Sequence, residues 1–346
     1  MHATIDFYTC SVHLFFRICE IILMAILALV TNFVLYKYWT RPNHQFVKTE
    51  VETKEISFKT SKGDFQTKVS EYENGRVKIY WELNDMSQDN PILIEMIKNE
   101  ILIPPSKSPQ LNLKAEERYL DGQYDQVPFI EKVLGLDQSK KDYPGFYIEA
   151  GAADGKTISN SLYFELEYGW TGLLVEPNPD YFEDLVNVNR NAWILPHCLS
   201  TKPHVETVVF DVSDILSGIM VDGKKPSHLN DKYLLDFIYR MVTPEKPYAR
   251  EIEVQCFPLY SVLMALGNPH VDYFSLDIEG AEAPVLQNLP WDKVNVTSWT
   301  IEINHAGEIF PESQEDIRQL MYRKGYDLVG ALHIDDVFFK KDINRF

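Results

Sequence analysis

Between positions 146 and 341, short unbroken apolar runs alternate with stretches in which apolar residues recur every three or four positions. The runs suit strands buried on both faces, and the periodic stretches suit helices that cover a sheet. Strands are therefore expected at 146–150, 171–175, 193–196, 206–211, 273–277, 298–304, 326–331 and 337–340. Helices are expected at 158–168, 179–189, 281–289 and 312–324. This alternation predicts an α/β domain with a Rossmann-like, mostly parallel seven-stranded sheet covered on both faces. The last two strands, separated by 332–336, read as a terminal hairpin. Residues 213–250 read as an insertion with one amphipathic helix near 232–241.

Upstream the pattern changes. Positions 18–39 read ICEIILMAILALVTNFVLYKYW, with Glu20 and Lys37 near the two ends. The uninterrupted part, 21–36, makes about 24 Å of helix. With its aromatic flanks it reaches the ~30 Å of a bilayer core. No small-x-small site follows, so the segment reads as a retained anchor and not a cleaved signal. The expected organisation is an N-terminal tail at 1–17, a transmembrane anchor at 18–39, a stem and linker at 40–110, and the main domain at 111–346. Within the stem, 41–89 suits a β-hairpin, and Asn90-Pro91 opens a capped helix. Ile103 to Gln110 is punctuated by proline, and a lead-in helix is expected near 126–136. Lys37, Arg41 and Lys48 outnumber Arg17 across the span, a bias that puts the large domain in the cytosol.

Composition narrows the partners. The 346 residues carry 33 Lys and Arg against 51 Asp and Glu, a formal charge of −18. That balance argues against a nucleic-acid partner, which needs clustered cations. Of the four cysteines, Cys10 and Cys19 lie in or beside the apolar segment. Cys198 and Cys256 fall near expected strands, where they either pair or stay two small buried hydrophobes. No Cys or His spacing suggests zinc, and no metal is expected.

Candidate chemistry gathers at the strand ends. The first strand runs into Gly151-Ala152-Ala153-Asp154-Gly155, a turn without bulky side chains that lets backbone approach a ligand. About 25 residues later the second strand ends in Glu176, placed to accept both hydroxyls of a ribose. A third strand ends in Asp277-Ile278-Glu279-Gly280, and Glu302, Asn304 and His305 end a fourth on the same rim of the sheet. Asp277 or Glu279 suits a general base or an acceptor-orienting group, and His305 suits a general base for a hydroxyl acceptor. Two carboxylates at (i, i+2) make an incomplete metal site.

The strings YIEAGAADG, LLVEPNP and LDIEGAE, in that order, resemble the FkbM-type family of S-adenosylmethionine (SAM) methyltransferases over about 143–341. The resemblance implies SAM as cofactor. Glu149, Gly151, Ala152, Asp154 and Gly155 would then face its methionine part, Glu176 its ribose, and Pro177 and Asn178 its adenine. Asp277, Glu279, Asn304 and His305 would form the catalytic rim. The segment VQCFPLYSVL and the apolar N-terminus are similar to the Star-like branch of that family. That branch implies a single-pass protein of endoplasmic reticulum, Golgi and endosomes with a lumenal domain, acting in vesicle-mediated transport of membrane-tethered cargo. The sequon Asn295-Val296-Thr297 is consistent with a lumenal side. The alternative is an active membrane-anchored O-methyltransferase acting on a hydroxyl of a glycan or lipid.

Overall fold

The computed structural model describes residues 52–60, 63–71, 78–107, 111–113, 122–212, 217–224 and 250–341. Strands β1 (Glu52–Thr60) and β2 (Gly63–Glu71) form an antiparallel hairpin, and β3 (Lys78–Tyr80) pairs with β2. Helix α1 (Pro91–Met96) begins as its sequence dictates. Asn90 caps it by accepting from the Ile92 and Leu93 N–H groups, and Pro91 fills the first position. Residues 79–103 of the expected stem pack into the domain. Tyr80, Leu83, Leu93, Met96 and Ile101 enter the main hydrophobic core. Gln255 exchanges two side-chain hydrogen bonds with the backbone of Tyr80, at 2.9 and 2.7 Å.

Helix α2 (Gln126–Leu134) leads into β4 (Phe146–Ala150), α3 (Leu162–Tyr168), β5 (Thr171–Val175), α4 (Phe182–Asn187) and β6 (Ala192–Leu195). Helix α3 starts four residues later than its periodicity predicts. Ile158 takes a left-handed φ of 51°, and Ser159 and Ser161 turn their hydroxyls to Glu149. Strands β7 (Cys198–Leu199), β8 (Glu206–Val212), β9 (Gly218–Met220) and β10 (Arg250–Phe257) form a separate sheet in the order β7–β10–β8–β9. This second sheet was not expected. In its register Cys256 lies opposite Cys198, and the two form a disulfide. The predicted helix near 232–241 lies outside the described residues.

The chain then builds α5 (Leu259–Ala265), β11 (Val271–Leu276), α6 (Glu282–Gln287), β12 (Val296–Glu302), α7 (Gln314–Arg323), β13 (Tyr326–Leu332) and β14 (Asp335–Lys340). The main sheet runs β13–β14–β12–β11–β4–β5–β6. Its strands are parallel except β14, which lies antiparallel between β12 and β13, so the expected terminal hairpin forms. Every residue of β11 and β12 is buried, as strands covered on both faces require. Strand order reverses between β4 and β11. Ligands bind at such a switch point, outside the carboxyl ends of the strands.

The membrane-anchored architecture needs correcting. Among the described residues no helix is long and apolar enough to cross a membrane. Helix α7, ten residues long, extends about 15 Å against the ~30 Å required. The described residues thus form the α/β domain with no membrane-spanning helix among them, and the placement in endoplasmic reticulum, Golgi and endosomes with a lumenal domain finds no structural basis there. The expected span at 18–39 lies outside the described residues.

Candidate functional site

At the end of β4 the chain turns on Gly151, whose φ is 91°. A Cβ added there would lie 2.0 Å from the carbonyl oxygen of Asp277. Only glycine meets both demands, and the turn therefore sits directly against the end of β11. The Gly151 and Ala152 N–H groups both donate to the Val175 carbonyl, at 3.0 and 3.1 Å, and the Asp277 N–H donates to Ala150 at 3.0 Å. These bonds tie together the ends of β4, β5 and β11.

Glu176 ends β5 and is buried. One carboxylate oxygen accepts from the Ala153 N–H at 2.8 Å, the other from the Asn178 N–H at 2.7 Å. Burial pushes its pKa up to about 7; these two bonds oppose the shift, and the Asp277 and Asp154 charges add to it. A cleft of about 620 Å³, partly open to solvent, lies over the three strand ends. Gly151, Ala153, Glu176, Pro177, Asp277 and Glu279 line its polar side, while Tyr181, Leu199, Phe210 and Ile219 supply apolar wall.

Five of the residues expected at the cofactor do not line this cleft. Ala152 is buried within the turn. Glu149 points into the protein, where it accepts from the Asn160 N–H at 2.8 Å, Ser159 Oγ at 2.7 Å and Ser161 Oγ. Asp154 closes a local turn onto the N–H groups of Lys156 and Thr157. Gly155, with φ 74°, lets the chain pass Leu185, and Asn178 bonds Ser217 at 3.0 Å. Behind the turn lies Arg190, which the sequence did not single out. It is buried, pairs with Glu165 at 2.7 Å and donates to the Gly155 carbonyl at 2.6 Å.

The rim beyond Asp277 is crowded with carboxylates. Glu279 takes a left-handed φ of 56° and faces His305 Nε2 at 3.2 Å. Glu282 accepts from the Ile278 and Gly280 N–H groups at 2.8 and 3.2 Å. Burial, with the Asp277 charge adding, raises it to about 8. Burial also raises Glu302, helped by Asp277, Glu279 and Glu282. Asp335, which accepts from Gln126 at 2.7 Å, is pushed up to about 8 by burial and Asp277. Of the four expected catalytic residues, Asp277 and Glu279 line the cleft. His305 is buried beside Glu279, and Asn304 is exposed 3.4 Å from His305 Nε2. Glu282 and Asp335 were missed, and Glu302 was read on the rim without a role. Their only signal in the sequence was an acid at an element's end.

The family model of the methyltransferase FkbM domain matches residues 149–328, just over half of the chain. The chain belongs to the FkbM methyltransferase family. No curated protein matches it. The FkbM match opens on Glu149 and closes within β13, so it spans the glycine turn, Glu176, Asp277 and the acidic rim. The hairpin β1–β2, helix α1 and strand β14 lie outside the FkbM match.

Proposed function

We propose that this FkbM domain is a SAM-dependent O-methyltransferase acting on a hydroxyl-bearing acceptor such as a glycan or lipid. One observation carries the reading: a glycine turn pressed against Asp277 at the switch point, with Glu176 facing the same cleft. The residues lining the cleft fit SAM in their chemistry. Gly151 lines the cleft without a side chain, so backbone there can approach a ligand. Glu176 uses one lone pair of each oxygen on backbone N–H groups, which leaves others for the ribose hydroxyls. Pro177 and Tyr181 supply an apolar edge for adenine.

When bound, SAM supplies an electrophilic methyl group on a sulfonium that is its own leaving group. The chain's task is to hold the acceptor oxygen in line and to take its proton. Asp277 suits that task, because it lines the cleft and is only partly buried. With SAM in the cleft, the cofactor would supply the methyl group and Asp277 would accept the proton of the acceptor hydroxyl. His305, expected as an alternative base, lies outside the cleft lining. The Star-like assignment and cargo transport rest on the sequence resemblance, and no feature of the described residues favours them over catalysis.

Calorimetric titration of SAM into the protein tests the reading. Micromolar binding is expected, weakened about a hundredfold by Glu176→Ala through loss of two charge-assisted hydrogen bonds. A folded protein that binds no SAM overturns it. Asp277→Asn should leave SAM affinity unchanged and lower turnover of a methylated acceptor by about 10²–10⁴.

A further inference from the structure

The acidic rim has one member with no conventional partner. Glu302 ends β12 with 1% of its surface exposed, no N–H group donates to either of its carboxylate oxygens, and the side chain within hydrogen-bonding reach is another acid, Asp277. Asp277, Glu279 and Glu282 surround it, and His305 Nε2 lies 3.9 Å from one oxygen. A buried carboxylate in such company requires a positive charge or a proton.

His305 is arranged as metal-binding histidines are. Its Nδ1 lies 3.1 Å from Glu308, so that ring edge is held by a carboxylate. The other edge, Nε2, faces Glu279 at 3.2 Å and Glu302 at 3.9 Å, with the exposed Asn304 amide at 3.4 Å. A carboxylate on one imidazole nitrogen fixes the tautomer and aims the other nitrogen's lone pair. Here that nitrogen faces two carboxylates. One donor atom each from Glu279, Glu302 and His305 lies within 4.8 Å of the others. Donors around a zinc-sized ion, with bonds of about 2.0–2.2 Å, stand roughly 3–3.5 Å apart, so a small inward movement closes the set.

We propose that Glu279, Glu302 and His305 form a binding site for a divalent first-row transition cation, with Glu308 orienting the imidazole. Two oxygens and one imidazole nitrogen suit Mn²⁺ or Zn²⁺ better than Ca²⁺ or Mg²⁺, which take all-oxygen shells. The ion cross-links the loop after β11 to the end of β12, and it holds Glu279 in its left-handed backbone conformation. None of the three donors is assigned to SAM, so the site stands independently of the methyltransferase reading.

The test is titration of chelator-stripped full-length protein with Mn²⁺ or Zn²⁺, without SAM, followed by calorimetry and metal analysis. One ion per chain is expected, and Tm should rise by a few degrees at about hundredfold excess over Kd. Glu302→Gln and His305→Gln should each weaken binding at least about a hundredfold, and Glu308→Gln about tenfold to a hundredfold. Glu308→Gln keeps all three donors and changes a partly exposed position, so it reports even if the other variants misfold. Stripped wild-type protein that is folded by circular dichroism yet binds neither ion overturns the proposal, leaving a proton shared between Asp277 and Glu302. Variants that bind as tightly as wild type overturn it as well.

Discussion

Glu149, Glu165 and Glu176 around the glycine turn and Glu302 on the rim of β11 and β12 are all buried and oppositely equipped. Glu149 accepts three hydrogen bonds, Glu165 meets Arg190 and the Asn191 N–H, and Glu176 holds two backbone N–H groups. Across the cleft, Glu302 receives no N–H donor and faces three other acids. Every carboxylate of the first group is held by hydrogen-bond donors from within the fold, and Glu165 also meets a cation. The second is left electrically incomplete, which is the state in which a protein waits for a proton or a cation. Buried charge alone thus does not distinguish structure from function; the tally of donors around it does.

Breaking the finished side should have the largest effect. Arg190→Met removes the cation from a buried pair and leaves Glu165 exposed to the low-dielectric interior, a cost of about 3–5 kcal/mol. Chemical denaturation should show it as a lower midpoint with unchanged slope. Gly151→Ala comes next. A methyl group 2.0 Å from the Asp277 carbonyl on a backbone at φ 91° should cost about 2–3 kcal/mol and abolish SAM binding by calorimetry.

The third effect is a pH dependence. Glu176 binds ribose hydroxyls as a carboxylate, so SAM affinity should fall about tenfold for each pH unit below about 7. Its contribution to stability runs the other way. The folded value lies above the ordinary 4.5, so that contribution is present below 4.5 and is lost as pH rises through about 7. The Tm of SAM-free protein and the affinity for SAM should therefore move in opposite directions over this window. The smallest effect has the opposite sign to the first. In metal-stripped protein, Glu302→Gln removes one of the mutually repelling acids and should stabilise by about 1 kcal/mol, read as a raised Tm.

Much of the main sheet was legible because its strands are buried on both faces, which favours short, mostly apolar runs such as FYIEA and VDYFSL. Helix starts were less so, since Ser159 and Ser161 fit a helix N-terminus by composition yet spend their hydroxyls on Glu149. The second sheet escaped notice because β10 is half buried, and β7 and β9 are two and three residues long. At the site, Gly151, Glu176 and Asp277 could be anticipated because strand ends and glycine turns have local signatures. Glu149 and Asp154 lie in the same motif, and only three-dimensional hydrogen bonding shows that they face away. The meeting of Glu279, Glu282, Glu302 and His305 depends on β11 lying next to β12, a pairing of residues some 25 positions apart that no local pattern encodes.

The disulfide between Cys198 and Cys256 closes a covalent ring across a sequence separation of 58. Glu176 lies before the ring, and Asp277, Glu302 and His305 lie after it. A single peptide-bond cleavage within the ring leaves two polypeptides that remain one molecule: an upstream piece bearing the glycine turn and Glu176, and a downstream piece bearing the acidic rim. Reduction of one sulfur–sulfur bond then decides whether those two pieces are still tethered.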